Sequence, residues 1–323
     1  MNTLLKIENV SKYFPASEGV FFKTNKKVTA LDGVTFDIKK GEILGIVGES
    51  GCGKSTLGRV ILRLLEADSG KIYFDGKDIL SLSKTEMREA RRDMQIVFQD
   101  PFASLNPRMR VAELIGEPLR LHGMKDVHEI NRRIEEITEL VGLDKYHLKK
   151  YPHEFSGGQR QRICIARALI LKPKLVICDE AVSALDVSIQ SQIINLLNDL
   201  KDELGLTYMF ISHDLSVVKH ISDRVGVMYL GKIVEITSVE NIFNEPRHPY
   251  TQALISAIPV PDPSIKKERI ILKGDVPDPL NIPMGCRFHM RCIHSEERCE
   301  RVEPELKISK KEHFVACHLI DEI

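Results

Sequence analysis

Residues 48–56 read Gly48-Glu49-Ser50-Gly51-Cys52-Gly53-Lys54-Ser55-Thr56 and match G-x-x-x-x-G-K-[ST] at every fixed position. Glycines at 48, 51 and 53 allow consecutive backbone N–H groups to turn inward around phosphate oxygens, and a following helix N-terminus adds partial positive charge at the same place. Lys54 is then placed to reach the outer phosphates and Ser55 to ligate Mg²⁺. The chemistry implied is the grip of a nucleoside triphosphate. The flanks agree: Ile43-Leu44-Gly45-Ile46-Val47 predicts a buried strand, and residues 57–65 carry the apolar spacing of a helix. A glycine-rich turn without a ligand would explain the glycines but not Lys54, Ser55 and both flanks together.

A second anion-ready helix start lies about a hundred residues later. Phe155-Ser156-Gly157-Gly158-Gln159-Arg160-Gln161-Arg162 precedes the helical run Ile163-Cys164-Ile165-Ala166-Arg167-Ala168-Leu169, with Ser156 placed as an N-cap. An ordinary capped helix accounts for Ser156 but not for the glycine pair followed by Gln159. Here the chain resembles the ATP-binding subunits of ABC transporters, whose signature is a Ser-Gly-Gly-Gln helix start. The resemblance implies that Ser156, Gly157, Gly158 and Gln159 of one subunit close over the γ-phosphate held by the phosphate loop of another.

Leu175-Val176-Ile177-Cys178-Asp179-Glu180 is an apolar strand ending in two acids, and the carboxyl ends of parallel strands face the crevice where α/β sheets bind ligands. Taken alone, such a pair is as easily a solvated strand end. Beside the other motifs, Asp179 is expected to hold Mg²⁺ through water and Glu180 to polarise the attacking water, since phosphoryl transfer asks the protein mainly for positioning and charge neutralisation. The resemblance places further roles. Ser183, Ala184, Leu185 and Asp186 match the dimer-contacting D-loop, and His213, after the apolar run Thr207-Tyr208-Met209-Phe210-Ile211-Ser212, matches the switch histidine at the γ-phosphate. Gln99 matches the glutamine that senses Mg²⁺ and the attacking water. Phe14, with Tyr13 as the neighbouring candidate, falls where an aromatic ring stacks on adenine.

These residues must be positioned by a sizeable fold. The chain has 323 residues, enough for a large domain and a smaller one, and its 46 basic and 46 acidic residues balance. A neutral chain has no general electrostatic pull toward nucleic acid, so no nucleic-acid partner is expected. No apolar run approaches the roughly 18–20 residues of a membrane span, and the N-terminus lacks a secretory apolar core, so a cytosolic chain is expected. Residues 4–14 and 28–40 alternate as half-buried strands, with Val34, Phe36 and Ile38 on one face, and residues 19–27 read as a loop between them. Asp75-Gly76 marks a hairpin and Gly231 another turn. Residues 106–150 become helical and charge-rich, and a helix after Asp186 carries Ile189, Ile193, Leu196, Leu197, Leu200 and Leu204 on one face. Proline-rich stretches at 259–263 and 276–283 mark a linker and an irregular tail.

That tail gathers four of the seven cysteines, Cys286, Cys292, Cys299 and Cys317, among arginines and glutamates. Buried core cysteines would sit among apolar neighbours, so ligation is expected. A reducing cytosol disfavours disulfides, and both zinc and an iron–sulfur cluster accept four thiolates; the spacing C-x₅-C-x₆-C-x₁₇-C does not choose between them. Gly285-Cys286-Arg287-Phe288-His289-Met290-Arg291-Cys292 and Pro249-Tyr250-Thr251 resemble segments of dipeptide and oligopeptide permease ATPases, and that resemblance implies a [4Fe–4S] cluster, with zinc as the alternative. Being far in sequence from the phosphate-handling residues, such a centre is expected to hold the tail together and to leave ATP binding untouched.

The resemblance covers about residues 4–320. It implies an α/β fold: a P-loop ABC ATPase core with an antiparallel β subdomain, a helical subdomain at about 106–165, and a small irregular Cys-rich C-terminal extension, divided as 1–255 and 256–323. It further implies an ATP- and Mg²⁺-dependent ATPase at the cytoplasmic face of the membrane, energising import of dipeptides or oligopeptides. The partners implied are a second, non-identical ABC ATPase, two transmembrane permease subunits and, indirectly, a substrate-binding protein. Residues 101–107, after Gln99, fall where the permease subunits dock. Phe155 in place of leucine and Ala181 in place of proline depart from the pattern without removing a catalytic group. Import of a nickel chelate or other small solute is the alternative; a non-transport ABC ATPase of translation or DNA repair, or a redox-sensing nucleotide-gated module, are the readings from other classes.

Overall fold

The structure is a computed structural model and describes residues 2–18, 22–259 and 269–321. It divides into two compact units, one built from Ile38–Ile43 and Ser81–Ser212 with the residues through Thr3, the other from Leu4–Asp37, Leu44–Leu80 and the chain from His213 onward.

The first unit carries three parallel strands, β6 (Met94–Val97), β7 (Leu175–Asp179) and β8 (Thr207–Ile211), in register through Val97↔Cys178 and Asp179↔Ile211. Every residue of β7 and β8 is buried, the condition under which a parallel strand reads as a continuous apolar run instead of an alternating one. Helices Val111–Leu121, Val127–Leu140 and Gly157–Leu169 pack on one another. Their buried residues recur at helical spacing, Val111, Leu114, Ile115 and Leu119 on the first and Ile130, Ile134 and Ile137 on the second. Asp126 starts the second by accepting hydrogen bonds from the His128 and Glu129 N–H groups at 2.9 and 3.2 Å.

The second unit holds a four-stranded sheet of order β2-β1-β4-β5, formed by β1 (Thr3–Glu18), β2 (Phe22–Lys39), β4 (Ser69–Phe74) and β5 (Lys77–Asp78). Beside it, β3 (Ile43–Val47) pairs parallel with β9 (Arg224–Tyr229), and antiparallel pairing continues through β10 (Lys232–Ser238), β12 (His313–Val315) and β11 (Lys307–Lys310). Both anticipated hairpins turn on left-handed residue pairs, Asp75-Gly76 at φ 47° and 80° and Leu230-Gly231 at φ 42° and 82°. Positive φ at both central residues matches the twist of the flanking strands.

Two local expectations change. Residues 22–27 belong to β2 instead of a loop, because a ladder needs only backbone N–H and C=O groups and this stretch has no proline to interrupt it; residues 19–21 of the expected loop lie outside the described residues. Residues 260–263 of the expected linker lie outside them too. The tail is more regular than its prolines imply, with a helix at Glu297–Arg301 and the β11–β12 pair extending a sheet. Among the described residues, no helix is long and apolar enough to cross a membrane.

Candidate active site

In the second unit the phosphate loop leaves β3 and enters helix Lys54–Ile61 through Gly53, whose φ of 108° is open to glycine alone at this place. A Cβ there would lie 2.2 Å from the Ala30 carbonyl oxygen. Lys54 is 4% exposed, and its ammonium donates to the Gly48 and Glu49 carbonyls at 2.8 and 3.0 Å. Cys52 is buried against it, with Sγ 3.8 Å from Nζ, and burial pushes its thiol above the usual range. Ser50 and Gly51 are exposed; Ser55 and Thr56 begin the helix half-buried. On β1, Tyr13 donates its hydroxyl to Asp32 at 3.3 Å and its N–H to Asp68 at 2.7 Å, whereas the Phe14 ring has the Lys12 ammonium 5.6 Å from its centroid. Of the two adenine candidates, Tyr13 is the more firmly oriented.

The tail reaches this same loop. The Tyr250 hydroxyl accepts a hydrogen bond from the Glu49 N–H at 2.9 Å, and the Arg291 guanidinium grips both oxygens of the Glu49 carboxylate at 2.8 and 3.0 Å. Tyr229, Tyr250 and Phe288 form an aromatic cluster with centroids 4.7 to 5.4 Å apart, tilted or edge-on as ring quadrupoles prefer. Arg287 donates to Asp32 and to the Leu230 carbonyl. A cavity of about 410 Å³ opens beside the loop, lined by residues 49–52, 229–230 and 276–279.

These contacts correct the expectation of a metal centre. Among the described residues, no group of three or more His, Cys, Asp or Glu is placed to hold a metal ion, so neither the [4Fe–4S] cluster nor zinc on Cys286, Cys292, Cys299 and Cys317 is supported. The need for such a cross-link also falls away. Phe288 in the aromatic cluster, two arginines on carboxylates and β12 on β10 hold the tail, and one of those arginines, Arg291, holds the phosphate-loop residue Glu49.

The carboxylates belong to the first unit. Asp179 closes β7 and is 3% exposed; Glu180 follows it in a left-handed conformation at φ 49°, a backbone that costs a non-glycine residue on the order of 1 kcal/mol or more. Its N–H donates to the Ile211 carbonyl at 3.0 Å, and its carbonyl accepts from Ser183 N–H and Oγ at 3.1 and 3.0 Å, so the strained residue is held from both sides. The Gln99 amide, just beyond β6, donates to the Glu180 carboxylate at 2.8 Å. His213 is exposed in the second unit, ahead of Asp214, which caps helix Leu215–Ile221.

The Ser156 helix start is closed by a reciprocal pair: Ser156 Oγ accepts from Gln159 N–H at 3.3 Å and Gln159 Oε1 accepts from Ser156 N–H at 3.1 Å. Gly158 is required by packing, since a Cβ would stand 2.5 Å from Ile189 Cγ2; one on Gly157 would touch Leu185 at 3.4 Å. Of the segment Ser183, Ala184, Leu185, Asp186, Leu185 thus meets the glycine face of this helix, and Asp186 caps the next helix through the Ile189 N–H at 2.9 Å. Ile189 therefore does more than continue an apolar stripe.

A family model of the ABC transporter matches residues 31–183, and one of the oligopeptide/dipeptide transporter C-terminal region matches residues 234–299. The chain is 55% identical to the oligopeptide transport ATP-binding protein AppF of Bacillus subtilis, over 98% of this chain and 97% of that protein. It is 50% identical to OppF of Salmonella typhimurium, over 99% and 97%. Among solved structures it resembles the dimeric post-hydrolysis state of the ATP-binding cassette MJ0796 bound to ADP and Pi, at 30% identity and a TM-score of 0.65, covering 73% of this chain and 99% of that one. It also resembles CbiO1 of Clostridium perfringens, part of the CbiONQ transporter complex, at 30% identity and a TM-score of 0.65, covering 76% and 92%. The chain belongs to the ABC transporter ATPases, in the group of the oligopeptide transport ATP-binding proteins.

Proposed function

We propose that this chain hydrolyses ATP at the cytoplasmic face of a membrane and couples the reaction to peptide import through two permease subunits fed by a substrate-binding protein. Lys54 and the amides of residues 48–56 hold the phosphates, and Tyr13 carries the adenine. Ser55, Asp179 and Gln99 carry the side-chain oxygens that would hold a hard cation such as Mg²⁺, which would neutralise phosphate charge. Glu180 orients and deprotonates the attacking water, with His213 as the γ-phosphate contact. Ser156, Gly157, Gly158 and Gln159, with Ser183 to Asp186, face a second ATPase, probed in solution as nucleotide-driven association. Phe102, 62% exposed with the Arg160 guanidinium 3.6 Å from its ring centre, belongs to the permease-facing surface.

What supports this reading above all is Glu180, held in a strained backbone with Gln99 on its carboxylate, the arrangement of a base kept in one place. Glu180→Gln keeps ATP affinity within about twofold and lowers kcat by about 10²- to 10³-fold, because the carboxylate acts only when water attacks. Lys54→Ala instead loses ATP affinity, since the ammonium contacts ground-state phosphates. Equilibrium ATP binding and steady-state phosphate release separate the two. Hydrolysis by Glu180→Gln at the parental rate removes Glu180 as the base.

A further inference from the structure

Glu49 puts a carboxylate on the loop that must take a polyanion. Left alone, that charge opposes every phosphate brought to the loop, and two like charges a few ångströms apart in a partly desolvated place repel strongly. The chain does not leave it alone. Arg291 lies 242 residues away in sequence, is 8% exposed at its side chain, and meets the Glu49 carboxylate as a fork-to-fork pair at 2.8 and 3.0 Å. Its guanidinium stands 5.9 Å from the Tyr229 ring centre, with Nη1 3.5 Å from the Tyr229 hydroxyl, so the aromatic cluster fixes the plane from which it reaches the loop. Tyr250, fully buried, takes the Glu49 N–H on its hydroxyl, which fixes the backbone at the same residue. Side chain and backbone of one phosphate-loop residue are thus both held by the C-terminal third of the chain.

We infer that Arg291 is a positioning residue of the nucleotide site: by neutralising and holding Glu49, it makes the phosphate loop receptive to a triphosphate. The inference rests on the reading of residues 48–56 as the nucleotide site and adds to it a residue outside the motif. An electrostatic role differs from mere bracing in two ways. Loss of Arg291 weakens ATP more than ADP, because the exposed Glu49 charge opposes the nucleotide with more charge most. It is also repaired by removing the Glu49 charge, which restores no contact to the tail.

The test is isothermal titration of ATP and ADP into the full chain. Arg291→Gln keeps much of the side chain's bulk and is expected to weaken ATP on the order of tenfold and ADP less. Arg291→Lys, which keeps charge without the fork, falls between it and the parent. Arg291→Gln combined with Glu49→Gln regains most of the ATP affinity. Equal losses for ATP and ADP, or no recovery in the double variant, overturn the electrostatic role. Should Arg291→Gln fail to fold by circular dichroism, Glu49→Gln alone reads the same charge. It tightens ATP several-fold if the inference holds, and unchanged or weaker binding there overturns it. Lys54→Ala titrated alongside keeps the two claims apart: if it binds ATP like the parent, the nucleotide-site reading fails, whatever Arg291 does.

Discussion

The chain opens two helices with glycine-rich segments suited to anions, and they are built on different principles. At the phosphate loop, glycine is demanded by the backbone: Gly53 sits at φ 108° with the Ala30 carbonyl where a Cβ would be. The cation is buried, and the loop is tied from outside by Tyr250 and Arg291. At the Ser156 helix, capping is local and reciprocal, Ser156 is exposed, and glycine is demanded by a side chain, Ile189, packed on Gly158. The first is a site held closed on itself by the rest of its unit. The second is finished locally, by its own cap and one packed side chain, and leaves its capping serine exposed.

The sharpest way to break this comparison is to add one methyl group to each. Gly53→Ala meets a main-chain carbonyl in a backbone that L-residues avoid, so a loss of about 3 kcal/mol or more in folding stability is expected, along with nucleotide binding. Gly158→Ala meets the Ile189 side chain, closest at Cγ2, so it costs about 1–3 kcal/mol by overpacking. Introduced into an Ile189→Ala background, the same change is neutral or stabilising by up to about 1 kcal/mol, because alanine is the better helix former. Chemical denaturation of the four chains measures this. A Gly158→Ala cost that survives Ile189→Ala would show that the backbone, and not packing, selects glycine at both starts.

How much of this was legible follows from where the information lies along the chain. The phosphate loop, the Ser156 cap, Asp179 and Glu180 each fall within a segment of a few residues, where spacing and residue type carry the chemistry. The β4–β5 and β9–β10 turns were legible for the same reason. The brace was not: Glu49 is 201 residues from Tyr250 and 242 from Arg291, and no periodicity links them. The cysteines misdirected the reading in an instructive way. Their polar surroundings argued for ligation, yet Arg287 and Arg291 are the tail's anchors, each on a carboxylate far back in the chain. Phe288, a lone aromatic in a polar run and 2% exposed, is the third. One signal was available: two arginines closely flanking an aromatic residue in a charge-rich segment mark a docking segment as readily as a metal site.

A smaller effect separates the two starts by pH. The helix that carries Tyr250 is capped by His248, whose Nδ1 accepts the Tyr250 N–H at 3.1 Å, and burial pushes this histidine down to about 4. The folded chain therefore keeps it neutral while the unfolded chain protonates it near pH 6.5. Its contribution to stability is complete above about pH 6.5 and is lost as pH falls from there toward 4, about 2 kcal/mol by pH 5. His248→Asn keeps an acceptor without a titration and should flatten that part of the profile. Urea unfolding at pH 7.5 and 5 compares the slopes, and equal slopes in the two chains would count against it. The Ser156 cap has no titrating group and should add nothing to the profile.

The smallest change in folding energy should carry the most information about the outward-facing start. Ser156→Asp keeps a capping oxygen for the Gln159 N–H and adds a negative charge at a helix N-terminus, so stability should stay within about 0.5 kcal/mol of the parent. If Ser156 serves only its own helix, nothing else changes. If it closes on phosphate held by a second ATPase, a carboxylate in its place meets a polyanion. Sedimentation of the Glu180→Gln chain with and without ATP then reads the difference: nucleotide-driven association should be lost in the Ser156→Asp, Glu180→Gln double variant while ATP binding to each chain remains. Association at the parental level would confine Ser156 to capping and leave the loop of residues 48–56 as the single anion site of the pair.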